Sequence, residues 1–228
     1  MGGGTVPSVR GRTIGGVPDT IWSSVELHIT SVEEPLASPE ATAAAVDVLK
    51  AMEAMGLLGD EEIEVLSLDV VRSAARRAAH AGVGESAAAS LQSSLDASGV
   101  AAALRELHLA LEGSPIPGFE WPAMVDLFGP ERLAELVGVS VASLRRYASG
   151  ERITPDIVAG RLHLVARIVA DLSGAYSEVG VRRWFLRSRS QLGGRSPGEV
   201  LSGDWDPDGE EARAVLELAR SLTASPAT

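Results

Sequence analysis

The sequence predicts an all-α fold: a helical N-terminal domain, then a helix-turn-helix and a small helical C-terminal domain. Three observations predict it. Only 4% of the 228 residues are aromatic, and alanine and leucine carry most of the 45% apolar content, a composition that favours helix. Apolar residues recur at helical spacing, most clearly at Val158, Leu162, Val165, Ile168, Val169 and Leu172, where they line one helix face. Helix-opening signals recur as well, in Ser38-Pro39-Glu40, Thr154-Pro155-Asp156 and Ser196-Pro197, each placing proline where its missing N–H costs nothing.

Taken in order, residues 1–19 are rich in Gly and Pro and read as a disordered leader. Residues 20–112 read as an acidic helical domain whose role the residues do not reveal. It begins with a strand candidate over Trp22–Val32, where Val25, Leu27 and Ile29 alternate with polar residues and no partner strand is evident nearby. A helix follows from Ser38 to Gly56, another from Glu61 to about Ala81, and two more over Glu85–Asp96 and Val100–Leu111. Arg72, Arg76 and Arg77 form the one basic cluster of this half. Residues 113–118, Gly-Ser-Pro-Ile-Pro-Gly, read as a linker. Residues 119–176 hold a Trp121–Phe128 helix, the helix-turn-helix and a long helix from Ile157 to about Ala175. Residues 177–228 supply a Val181–Arg187 segment, a glycine turn with a helix opening at Ser196, an acidic loop over Asp204–Gly209, and a last helix over Glu210–Leu222.

The helix-turn-helix is the stretch Leu133–Tyr147. Leu133, Val137, Val139, Leu144 and Tyr147 supply the shared core, Ala134 permits close approach, and Gly138 sits at the turn. Ser140 caps the second helix. Leu144 and Tyr147 face inward, which leaves Ser140, Val141, Ala142, Ser143, Arg145 and Arg146 on the open side. Small residues and arginines on an exposed helix suit a major-groove reader, because arginine bonds guanine O6 and N7 together. Arg152, just beyond, is a candidate for backbone contact. The competing reading is a plain helical hairpin with solvated arginines.

Charge distribution favours the nucleic-acid reading. The net charge is −11, yet residues 131–195 hold 11 arginines against 6 acidic residues, a basic island in an acidic chain. Catalytic and metal readings are weak. Cysteine is absent, and His28, His80, His108 and His163 stand far apart without metal-ligand spacing. Asp204-x-Asp206-x-Asp208-Gly209 copies the first half of a calcium loop, but the twelfth position is Val215 where glutamate is required. Trp184-Phe185 among arginines could stack on single strands, but reads better as core. No cofactor, metal or catalytic site is expected, and no enzymatic activity. No apolar run reaches membrane-spanning length, so the expected location is the cytoplasm.

Ser143-Leu-Arg-Arg-Tyr147, Gly150-x-x-Ile-Thr-Pro155, Arg161-Leu-x-x-Val-x-x-Ile168, Trp184 and Leu192-Gly-Gly-Arg-Ser-Pro-Gly-Glu-Val-Leu201 stand in this order. Over about residues 119–222 the chain resembles the Xre/MbcA/ParS-like antitoxin family. The resemblance implies a helix-turn-helix upstream of a small helical toxin-binding domain, a RES-domain toxin that degrades NAD, and repression of the pair's own operon. It places Trp184, Gly193, Gly194, Arg195, Ser196 and Pro197 in the toxin-binding domain. Read from the residues themselves, Gly193-Gly194 make a turn and Pro197 starts a helix. The expected function is a sequence-specific, dimeric DNA-binding transcriptional regulator, a repressor of its own operon. The alternative is an antitoxin that neutralises a RES-domain enzyme, as part of a toxin–antitoxin system.

Overall fold

The computed structural model describes residues 29–59, 63–93 and 96–224. These form a mostly helical fold, with two short strands as the exception. The leader 1–19, residues 22–28 of the strand candidate and the end of the tail lie outside the described residues.

In the first half, α1 (Pro39–Ala54), α2 (Leu68–His80), α3 (Glu85–Ser93) and α4 (Ala97–Glu112) pack as alanine-rich helices. Ser38 caps α1 by accepting from Ala41 N at 3.2 Å, as its sequence signal requires. Two expected boundaries move. The helix expected from Glu61 begins only at Leu68, because Val65–Leu66 (β2) pairs in parallel with Ser31–Val32 (β1) and Ser67 caps the helix behind it. The strand's partner therefore lies in the same chain. Asp96, expected to end the third helix, instead caps α4 by accepting from Gly99 N at 2.7 Å.

The second half holds α5 (Pro117–Phe128), α6 (Pro130–Val137), α7 (Val141–Ala148), α8 (Asp156–Ser173), α9 (Glu178–Leu186), a single 3₁₀ turn at Ser190–Leu192, α10 (Pro197–Val200) and α11 (Glu210–Ala224). Helix α8 is the element the others pack on. It touches α1, α5, α6, α9 and α11, and residues on nearly every side of it are buried, as a central helix requires. Because α1 of the first half packs on α8, one apolar core runs through both halves.

The expected linker 113–118 is correspondingly short. Pro117 and Gly118 already belong to α5, and polar groups tie both flanks to α8. His163 of α8 lies with Nε2 2.9 Å from the Glu112 carbonyl and Nδ1 2.6 Å from Glu120 Oε1. A carbonyl only accepts, so Nε2 carries the hydrogen there, and a second proton must bridge Nδ1 and the Glu120 carboxyl. Glu120 is fully buried and its Oε2 has no partner. The Glu112 carboxylate receives Arg167 at 3.3 Å and also Arg220 of α11.

Burial raises the Glu120 carboxyl above the usual range, outweighing the opposing pull of His163. The folded chain therefore holds that proton more tightly than the unfolded chain. The resulting stability is complete in acid and is lost as pH rises through the folded-state value. In Glu120→Gln the side chain no longer titrates, and its amide N–H₂ donates to Nδ1. As pH rises above the ordinary carboxyl range, the melting temperature of the parent protein should fall more steeply than that of the variant. Parallel curves by scanning fluorimetry would remove the bridging proton from the account.

Candidate nucleic-acid interface

The turn between α6 and α7 explains why these two short helices hold their crossing. Gly138 ends α6 in the left-handed region, at φ 70° and ψ 38°, where a residue without Cβ is at ease. Space is as restrictive as conformation: a Cβ there would lie 2.0 Å from Gly203 O and 2.9 Å from Arg161 Nη1. Ser140 then caps α7, its Oγ accepting from Ser143 N at 3.1 Å. Leu133, Ala134, Leu136, Val137, Leu144 and Tyr147 are buried, as the motif demands, and Val139 is partly so.

A buried clamp holds this unit to α8. Arg161 is 4% exposed. Its Nε donates to Trp205 O at 2.6 Å, its Nη2 to Asp204 Oδ1 at 2.6 Å and its Nη1 to Val137 O at 3.4 Å. Its guanidinium lies 5.5 Å from the Trp205 ring centroid, within cation–π range. Trp205 Nε1 in turn donates to Leu136 O at 2.8 Å. The last carbonyls of α6, which no further helical turn can satisfy, are thus met by side chains from α8 and from the loop before α11. Asp204 serves here as the guanidinium's counter-charge, and no group of metal-ligating side chains forms among the described residues.

Helix α5 supports α7 from the other side. Trp121 stacks on Tyr147, with centroids 6.1 Å apart and planes 19° apart. Trp121 Nε1 donates to Thr154 Oγ1 at 3.0 Å, which ties down the loop after α7. Arg152 lies over the outer edge of the same assembly, 5.5 Å from the Tyr147 ring centroid, and its N–H donates to Arg146 O at 3.1 Å.

The outward side of α7 carries Ala142, Arg145 and Arg146, all exposed, with Ser143 half-buried. Among the described residues Arg145, Arg146 and Arg152 make no ion pair. Two candidates are less available than expected. Val141 packs against the core. The Ser140 hydroxyl accepts from Ser143 N and donates to Ser143 Oγ at 3.0 Å, so the Ser143 hydroxyl hydrogen is the one left to give. The basic cluster of the first half has internal work: Arg72 donates to the carbonyls of Leu91 and Gln92 at the end of α3, and Arg77 to that of Leu58.

The residues singled out by family resemblance divide into two groups. Trp184, Ser196 and Pro197 are buried. Trp184 meets Phe185 edge-on at 5.2 Å, and Ser196 forms a capping box with Glu199. Trp184-Phe185 thus serves the core, in keeping with the composition of that segment. Gly193, Gly194 and Arg195 are exposed, and Arg195 pairs with Glu211 at 2.6 Å. Only this second group can meet a partner without local unfolding. Comparison of the chain with family models, curated proteins and solved structures finds no match.

The clamp was missed in the sequence, although a signal existed. Arg161 lies three residues after Val158 and four before Val165, on the face of α8 that is otherwise apolar. In Arg161→Met the charge is gone and the Val137 and Trp205 carbonyls lose their donor. A loss of about 2–3 kcal/mol is expected in urea unfolding, and α6–α7 amides should exchange hydrogen faster than those of α2–α3. Unchanged stability would show that the clamp contributes nothing.

Proposed function

We propose that the protein is a sequence-reading DNA-binding regulator whose α7 enters the major groove. The observation that carries this reading is the division of α7. Leu144 and Tyr147 are fixed in a core braced by Trp121 and the Arg161 clamp, while Arg145 and Arg146 stand outward and make no ion pair among the described residues. A helix already held in place that presents guanidinium groups suits base readout, because its backbone needs no ordering on binding and the arginine donors can form the paired bonds that a base edge offers. In this reading Arg145 and Arg146 contact base edges or flanking phosphates. Ser143 donates to a phosphate or base edge, Ala142 lies against the groove floor, and Arg152 contacts the backbone. Val141 and Ser140 act beneath them as support. Helix-turn-helix units commonly read paired half-sites, so the active species is a homodimer. Repression of its own operon in the cytoplasm is the role that fits.

A second reading has one observation behind it. The Gly193-Gly194-Arg195 turn is exposed on the side of the 3₁₀ turn and α11, a surface through which an antitoxin could dock on a RES-domain toxin. Trp184, Ser196 and Pro197 would then shape that turn from beneath rather than touch the partner.

A gel-shift titration on the DNA upstream of the gene, against scrambled DNA and at two salt concentrations, tests the first reading. Selective binding that weakens with salt is expected. Arg145→Ala with Arg146→Ala should weaken it at least tenfold, since each base-reading arginine contributes ~1–3 kcal/mol. Arg152→Ala should weaken selective and scrambled binding alike. Equal affinity of parent and double variant would overturn the assignment of α7.

A further inference from the structure

A cleft of about 520 Å³ opens between the C-terminal end of α1, α5, the end of α8 and the start of α9. Its size lies in the range that small organic ligands occupy. The walls are apolar, with Ala54, Leu58, Met124, Val125, Val169 and Val181 among them. Two aromatic side chains at the cleft, Phe119 and Tyr176, are 45% and 36% exposed, more than their size would favour in a finished core. The charged lining residues are all acidic: Glu53, Asp126 and Glu178, with no lysine, arginine or histidine. Partial burial, with repulsion from Glu178 added to it, lifts the Asp126 carboxyl above its usual range. Arg182 only partly offsets this, since it donates to Leu127 O at 2.9 Å and reaches Glu178 at 3.5 Å.

We propose that this cleft is a binding site for a small organic cation with an apolar, aromatic-sized body. The apolar walls and the exposed rings take the body, and Asp126 and Glu178 hold the cationic group at the rim. An anion of the same shape meets the same walls but an opposing field. The site has a direct mechanical neighbour. Phe119, Pro122, Ala123 and Met124 line it from the helix whose Trp121 stacks on Tyr147 of α7. The backbone there is closely fitted, since a Cβ on Gly56 would come within 2.7 Å of Phe119 O. The proposal does not depend on the DNA reading, and direct binding tests it without DNA.

Tetraphenylphosphonium and tetraphenylborate match in shape and differ in sign of charge. Titration of each into the full chain by calorimetry should show the phosphonium binding at least tenfold more tightly. Asp126→Asn with Glu178→Gln should remove most of that preference. Glu106→Gln with Glu217→Gln, remote acidic changes of the same charge, should leave it intact. Ser173→Trp, which fills the cleft from the exposed end of α8, should abolish binding of both ions. Equal binding of the two ions, no binding of the phosphonium, or binding indifferent to Ser173→Trp would overturn the proposal. Binding of a basic amphipathic peptide without the phosphonium would overturn it too, by making the occupant a protein segment.

Discussion

A guanidinium taken out of water must find partners for its donors, and the surroundings of Arg161 show what that requirement organises. The side chain is held among the Trp205 carbonyl, the Val137 carbonyl and the Asp204 carboxylate, with the Trp205 ring alongside. The partners come from two segments, the end of α6 and the loop before α11. Their convergence fixes the end of α6 against α8 and brings the loop before α11 over the Gly138 turn. That turn can lie beneath Gly203 only because it has no Cβ. A different residue at either 138 or 161 would therefore disturb the same contact, one by crowding it and the other by emptying it. The outward pose of α7 is downstream of this arrangement.

A second polar assembly ties the helical first half to the same central helix. Glu112 and Glu120 stand on either side of the short connection between α4 and α5, and both bond to α8. With the α1–α8 packing, this makes the proline- and glycine-rich connection a fixed corner. Buried polar groups of this kind are costly unless satisfied. The unpartnered Glu120 Oε2 marks the place where satisfaction is incomplete, and the shared proton limits the cost. The brace from Trp121 to Tyr147 leaves the very next residue of the same helix. The first half thus reaches α7 through α5.

Local signals were the legible part of the chain. The helical class, the caps at Ser38, Ser140 and Ser196, the Gly138 turn and the inward Leu144 and Tyr147 all follow from rules that act over four or five residues. What spacing could not show was set by distant partners. The start of α2 was hidden because β2 is defined by pairing with β1, more than thirty residues away. The corner at residues 113–118 looked like a linker because its restraints come from His163 and Arg167. Asp204 stands in an acidic loop whose spacing does not reveal its partner, Arg161, which is distant in sequence. Within the candidate interface, Arg145, Arg146 and Arg152 were legible as exposed cations. That Val141 turns toward the core, and that Ser140 gives its hydroxyl hydrogen to Ser143, depended on packing detail.

The central claim is that α7 and Arg152 form the surface that meets DNA. The most direct measurement is a nuclear magnetic resonance titration of the isotope-labelled full chain with a duplex from its own upstream region. The account predicts that amide and arginine side-chain shifts concentrate at 140–152, with smaller changes at α6 and none in α2–α3. Shifts confined to the Arg183–Arg195 region, or scattered over the surface without a maximum at α7, would contradict it.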